Sequence, residues 1–269
     1  MSVRVSGVRL RLLADELTER YTAPLLHLAR ARLLTGAQLD RLLADPELSP
    51  ESVGRVRRRI MTRLHRAGLV AMLGRRVGGV RAGSVGHVYA LTSAGHTFLA
   101  LLRGESSPGR IRHSATPGPL FLSHALTISD IYVDLIEHSR QSGFQVANFA
   151  TEPHCWHPIG NGAYLRPDAY TALRTATHAD YWWLEVDQST ESPPRLRAKA
   201  RIYRQYLTSG GIGPDGYPPR VLITAPDAKR AHTARRAVTS PTGEDDGALI
   251  TVTTHHHAAQ FMTTELQQP

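Results

Sequence analysis

Four residues in the second half of the chain have types and spacing that suit phosphodiester chemistry. "YWWLEVDQSTES", residues 181 to 192, runs two tryptophans and a leucine straight into Glu185, Val186 and Asp187. In a strand, alternate side chains share a face, so Glu185 and Asp187 are expected on one side and Trp182, Leu184 and Val186 on the other. "RPDAY" places Asp168 on the preceding strand-like segment. Neighbouring strands lie about 5 Å apart, so its carboxylate is within reach of Glu185. Carboxylates gathered at one sheet position repel one another, and a hard divalent cation relieves that repulsion, with oxygen ligands favouring Mg2+ or Mn2+. Asp168 and Glu185 are the expected metal ligands, with Asp187 assisting. Lys199, one helical turn before Tyr203 and two before Tyr206, would stabilise developing charge on a phosphoryl group. His124, Asp130 and Glu152 are the upstream candidates to complete the site, and the sequence does not choose among them. The other way to account for the acids is a solvated sheet face balanced by arginines.

Two further clusters are weaker. Tyr203 and Tyr206 could act as nucleophiles, but packing at a helix–sheet seam explains them more simply. "HHH", 255 to 257, is internal and lacks the hydrophobic middle residue of a histidine metal motif.

The elements that must position these residues are legible in outline. The "PRLRAKARIYRQYL" segment reads as the helix carrying Lys199, opened by prolines, and "PRVLITA" as a short buried strand after it. With "LFLSHALTISDIYVDLIEHSRQ" as a leading helix, "FQVANFATE" as a strand and "PDAKRAHTARRAV" and "ALITVTT" as helix and strand, the order is α-β-β-β-α-β followed by α-β. That order makes a mixed sheet flanked by helices.

The first half is different in kind. The net charge is +9 over 269 residues, unevenly distributed: residues 1 to 118 hold 19 arginines and no lysine against 8 acids, and the remainder is slightly acidic. A basic half beside a near-neutral one points to nucleic acid. "TGAQLDRLLA" reads as a helix with Thr35 as its cap. Ser49-Pro50 opens the next, with Val56, Ile60, Leu64 and Leu69 as the expected core stripe and Gly68 as the stop. Arg55, Arg57, Arg58, Arg59, Arg63 and Arg66 crowd its other faces. Two strands follow around a glycine-rich tip bearing Arg75, Arg76 and Arg81, then "SAGHTFLALL" as a closing helix with Ser93 as cap. Three helices, a hairpin and a helix describe a winged helix-turn-helix, whose third helix enters the major groove while the wing contacts backbone. A small helical interaction domain with a solvated basic face is the alternative.

The expected organisation is therefore an α+β / α/β two-domain chain. Residues 8–102 form the winged helix-turn-helix, 103–118 ("RGESSPGRIRHSATPG") the linker and 119–265 a mixed sheet flanked by helices, which with "RPDAY" and "LEVDQ" resembles a restriction-endonuclease-like domain. "SPTGEDDG", 240 to 247, reads as a loop. Cys155 is the single cysteine, so neither an internal disulfide nor a cysteine-rich zinc site can form. No stretch approaches the roughly 18 unbroken apolar residues of a membrane span, and the N-terminus mixes charges into its apolar part, so a cytoplasmic location is expected.

Two resemblances add to this reading. "RPDAY" with "LEVDQ" resembles the PD-(D/E)XK nuclease superfamily, although Asp187 stands where that superfamily carries its lysine and Lys199 would serve from the helix. Over residues 20 to 225, "AGLV…VYALT.AG", "LSHALTISDIYVDL", "RPDAY", "WLEVDQSTES" and the following "K…Y..Y" resemble the replication-relaxation family of plasmid and mobile-element proteins. That resemblance implies a role in plasmid replication, relaxation or transfer, by metal-dependent DNA nicking or as a non-catalytic accessory or repressor whose nuclease-like half serves dimerisation or docking. Double-stranded DNA is the expected partner, a second copy of the chain (a homodimer) another, and no membrane partner is expected.

Overall fold

The computed structural model describes residues 5–73, 87–106, 118–160, 162–239 and 249–267. It is a mixed α+β chain that divides into two compact units after Ser129. The division falls inside a helix, ten residues beyond the position 119 at which the sequence analysis starts its second domain. The expected loop at 240–247 and most of the expected linker, with Arg75, Arg76 and Arg81, lie outside the described residues.

In the first unit the order is α1 (Gly7–Glu16), α2 (Glu19–Ala31), β1 (Leu33–Thr35), α3 (Gly36–Leu42), α4 (Pro50–Arg66), β2 (Val70–Leu73), β3 (Val88–Leu91) and α5 (Ser93–Leu102), followed by α6 (Pro119–Ser142). "LADELTERYTAPLLHLARARLL", which by its apolar spacing reads as one opening helix, is divided between α1 and α2, and β1 was not foreseen. At three residues, β1 is too short to show an alternating pattern, yet it completes an antiparallel sheet of order β1-β3-β2. Thr35 caps α3 through a full capping box: its Oγ1 accepts from Gln38 N at 3.1 Å, and Gln38 Oε1 accepts from Thr35 N at 2.8 Å. Ser49 and Pro50 open α4 as expected. Its buried stripe is Val53, Ile60, Met61 and Leu64, with Val56 only half-buried. Thr92, not Ser93, caps α5: its Oγ1 accepts from Gly95 N at 3.1 Å and donates to Gly68 O at 2.6 Å, fastening α5 to the end of α4.

In the second unit the order is β4 (Gln145–Thr151), β5 (His157–Pro158), β6 (Tyr164–Leu165), β7 (Ala169–Arg174), β8 (Ala179–Val186), α7 (Pro193–Thr208), β9 (Arg220–Ala225), α8 (Ala228–Val238), β10 (Ile250–Thr254) and α9 (Ala258–Gln267), the expected order save for the two-residue strands β5 and β6, which pair with each other and were not foreseen. Five strands form one mixed sheet, β10-β9-β8-β7-β4; β8, β9 and β10 are parallel, and β7 and β4 antiparallel. Helices cover both faces. Tyr181 and Trp183 pack with Leu196, Ala200 and Tyr203 of α7 and Ala231 and Ala234 of α8. On the other face Trp182 meets Phe261 of α9 edge-on at 5.9 Å, and Phe149 meets Tyr132 of α6 at 4.7 Å. That double cover explains why "YWWLEV" is nearly continuous in apolar residues rather than alternating.

Among the described residues one helix, α6, is long and apolar enough to cross a bilayer by length and composition. It instead buries Leu122, Ala125, Ile128, Ile131, Tyr132 and Leu135 within protein, and Asp130, Asp134 and Glu137 lie along it.

Gly95 is packed directly against backbone. A β-carbon there would lie 2.2 Å from Leu69 O and 3.1 Å from Leu91 Cδ2. Glycine-to-alanine inside a helix ordinarily stabilises by about 1 kcal/mol. Here Gly95→Ala is expected to destabilise by about 3 kcal/mol through overpacking against backbone. The shift in urea-unfolding midpoint reads the sign directly, and a stabilised variant would contradict the close approach.

Candidate functional site

The acidic end of β8 is built from three elements. Ala169 pairs with Leu184, so the next step along the same register sets Asp168 opposite Glu185. Asp168 lies at a bend just before β7, where its N–H donates to Leu184 O at 3.0 Å and its Oδ2 accepts from Val186 N at 2.7 Å. The carboxylate thus extends the ladder past the last regular pair. Glu185 points into the α7 side and is 3% exposed. Its Oε2 accepts from Lys199 Nζ at 2.8 Å and its Oε1 from Tyr203 Oη at 2.6 Å. Lys199 and Tyr203 are four residues apart, so one helix face delivers both donors. Lys199 also pairs with Glu191 Oε1 at 3.1 Å, and Glu191 meets Arg195 at 3.7 Å.

Asp187 leaves this cluster. It lies one residue beyond β8, its N–H continues the parallel ladder to Thr224 O at 2.8 Å, and its Oδ2 accepts from Arg230 Nε at 2.5 Å. The side chain is buried, and Oδ1 has no hydrogen-bond partner. Such an acceptor costs about 1–3 kcal/mol in isolation, and the guanidinium charge offsets it here. The structure brings Asp168, Glu185 and Lys199 together and sends Asp187 to α8. Arg230 was missed by the sequence analysis; the signal available was Asp227, which caps α8 and leaves the residue three positions on in the first turn.

The electrostatics follow from burial. Burial first, and then the field of Asp168, push the Glu185 carboxyl up from 4.5 to about 7, against the opposing pull of Lys199 and the hydrogen bonds from Lys199 and Tyr203. Burial works against the Lys199 charge, but the Glu185, Glu191 and Asp168 carboxylates outweigh it and hold the ammonium above its ordinary value. Burial and the Glu185 charge raise the Tyr203 hydroxyl. The Cys155 thiol, which donates to Pro167 O at 3.0 Å, is likewise raised, by burial and then by Asp168.

A divalent cation needs oxygen lone pairs that are free to face it. Both Glu185 oxygens already accept a hydrogen bond, Asp187 is held by Arg230, and among the described residues no three or more His, Cys, Asp or Glu side chains gather as a metal-holding group. A divalent ion at this end of β8 would share the Glu185 oxygens with Lys199 and Tyr203. Of the upstream candidates, Glu152 donates its N–H to Asp168 O at 3.2 Å, which places it beside the cluster through backbone. In the histidine run, His255 Nδ1 shares a hydrogen bond with Thr224 Oγ1 at 2.9 Å and His257 Nδ1 with Thr254 Oγ1 at 3.0 Å, so both tie to the sheet end. Tyr206 bonds Ile212 O at 2.8 Å and His157 Nε2 at 3.1 Å, a packing role.

The arginines of α4 divide into two groups. Arg57 Nε donates to Asp40 Oδ1 at 2.8 Å with its side chain 12% exposed, so it braces α4 on α3. Arg55 reaches back to Ser52 Oγ at 2.9 Å. Arg58, Arg59, Arg63 and Arg66, with Thr62, are exposed and line one shallow cleft. Arg63 lies over the Tyr21 ring of α2, 4.7 Å from its centroid. Tyr21 carried no periodic signal in the sequence, because its partner lies 42 positions away.

The replication-relaxation family model matches residues 25–221. The chain belongs to the replication-relaxation family. No curated protein matches it with significant similarity. Membership suggests a role in the replication or relaxation of plasmid or mobile-element DNA. In this replication-relaxation chain the matched span takes in the arginine cleft on α4 and the Asp168–Glu185–Lys199 cluster alike.

The raised Glu185 carboxyl fixes a pH dependence. Below about 4.5 the group is protonated in both folded and unfolded chains. Between 4.5 and 7 the folded chain holds the extra proton, so stability falls as pH rises through that window and levels off above it. Relative to Glu185→Gln, the wild type is expected to lose urea stability from pH 5 to 7.5. A constant difference between the two proteins across that range would show that Glu185 does not titrate there.

Proposed function

We propose that this chain is a duplex-DNA-binding factor of plasmid or mobile-element replication or relaxation, whose first unit is a winged helix-turn-helix with α4 as the recognition helix. The observation that carries the reading is the cleft in which Arg58, Arg59, Arg63 and Arg66 stand exposed around Thr62. The helix order with a three-stranded β1-β3-β2 sheet supports it, as does the excess of arginine over acid in the first 118 residues. In this arrangement guanidinium groups along α4 neutralise phosphates and release counterions, and those facing the groove floor can bond guanine edges in bidentate fashion. Arg57 takes no part, since it belongs to Asp40.

The second unit acts, in this reading, as a scaffold or docking module rather than as a nuclease. Metal-dependent nicking by a PD-(D/E)XK-like domain is the competing reading, with Asp168 and Glu185 as ligands and Asp187 and Lys199 assisting. What favours it is Asp168 opposite Glu185 with a lysine at 2.8 Å. What weighs against it is that both Glu185 oxygens are committed to protein donors.

Two measurements test these readings. Arg58→Ala with Arg59→Ala is expected to weaken duplex binding by at least about tenfold and to reduce the salt slope of log K by about 2, the signature of two lost phosphate contacts. Unchanged affinity in fluorescence anisotropy would remove α4 from the interface. Supercoiled plasmid incubated with Mg2+ or Mn2+ is expected to remain supercoiled. Nicking by the wild type that disappears in Asp168→Ala with Glu185→Ala, while DNA affinity persists, would reverse the choice between scaffold and nuclease.

A further inference from the structure

The acidic end of β8 already contains a cation, and it is an ammonium. Lys199 Nζ stands between Glu185 Oε2 at 2.8 Å and Glu191 Oε1 at 3.1 Å. Tyr203 closes the other Glu185 oxygen at 2.6 Å, and Asp168, opposite Glu185 in the ladder, spends its Oδ2 on Val186 N–H. We propose that Lys199 is the resident counter-cation of this carboxylate cluster, tethered by α7 in the position a divalent ion would have to take, so that the second unit folds and docks α7 without any bound metal.

The local charges support this. Glu191 is shared between Lys199 and Arg195, and Asp187 is matched by Arg230 on α8, so basic side chains from α7 and α8 answer the acids along this strand end. A divalent ion entering at Glu185 would have to share one oxygen with the ammonium and the other with the Tyr203 hydroxyl. It would do so at a side chain that is 3% exposed. A tethered ammonium loses no translational freedom on binding, whereas a free ion must be captured from solution with its hydration shell. Lys199 and Tyr203 also arrive together on one helix face, so neutralising the carboxylate and docking the helix are a single event. The inference goes beyond DNA binding and does not depend on it.

Thermal unfolding of the full chain at about pH 9, above the range in which Glu185 takes up a proton, tests the proposal. Lys199→Met keeps the aliphatic stem and removes the charge; it is expected to lower Tm by roughly 10 °C, the size of effect that breaking a buried ion pair has in a chain of this length. Adding Glu185→Gln to that variant is expected to recover at least half of the loss, because the charge that the lysine neutralises is then gone. A double variant no more stable than Lys199→Met would mean that Lys199 contributes packing alone, and the proposal would fail. In parallel, Mn2+ titrations followed by electron paramagnetic resonance are expected to give the same binding curve for the wild type and Asp168→Asn up to roughly 1 mM, above the range of tight protein sites. Stoichiometric Mn2+ binding by the wild type that is lost in Asp168→Asn would overturn it.

Discussion

A carboxylate inside a sheet covered on both faces must be neutralised where it stands, and Glu185 is the residue on which the second unit turns. Its neighbours on the same face are Trp183 and Tyr181, so water cannot supply the missing hydrogen bonds. The crossover helix α7 supplies them instead, through Lys199 and Tyr203. The parallel β8–β9 pair requires a crossover between its strands, and this polar contact ties that crossover to the end of β8. Broken on one side, a buried pair of this kind leaves an uncompensated charge, which is why the contact constrains the unit more than a surface ion pair of the same length would.

The same logic recurs at Asp187 with a different helix. Arg230 in the first turn of α8 meets it, while Thr224 receives the Asp187 N–H. The two acids that a strand pattern places on one face are thus separated by function: Glu185 docks α7 and Asp187 docks α8. Asp168 does neither, and bends onto the β8 backbone to end the ladder. Three carboxylates that look like one constellation in the sequence make three different contacts: Glu185 with α7, Asp187 with α8 and Asp168 with the β8 backbone.

The first unit solves the reverse problem, an excess of positive charge. One arginine of α4, Arg57, is absorbed by Asp40, while Arg55, bonded to Ser52 of its own first turn, and Arg58, Arg59, Arg63 and Arg66 remain at the surface. Repulsion among exposed guanidinium groups on one helix face is unfavourable for the isolated chain, and a polyanion relieves it. Packing Arg63 against Tyr21 holds one of them in place without consuming its charge.

Local signals carried much of this into the sequence. Thr35 with Gln38, and Ser49 with Pro50, announce helix starts because capping is a contact over three residues. The apolar run around Trp182 and Trp183 announces a strand covered twice, and the arginine excess announces the charged surface. β1 and the shift of the α5 cap from Ser93 to Thr92 were not legible, since a three-residue strand and a cap bonded to Gly68 exist only once β2 and β3 have paired. Sequence alone determined which residues could be acidic, basic or buried, because alternation, helical period and capping are properties of neighbours in the chain. Tertiary structure alone decided which charge meets which: Glu185 with Lys199, Asp187 with Arg230, Arg57 with Asp40. Those partners lie 14, 43 and 17 positions apart, and only the closure of sheet and helices sets the distances that choose among them.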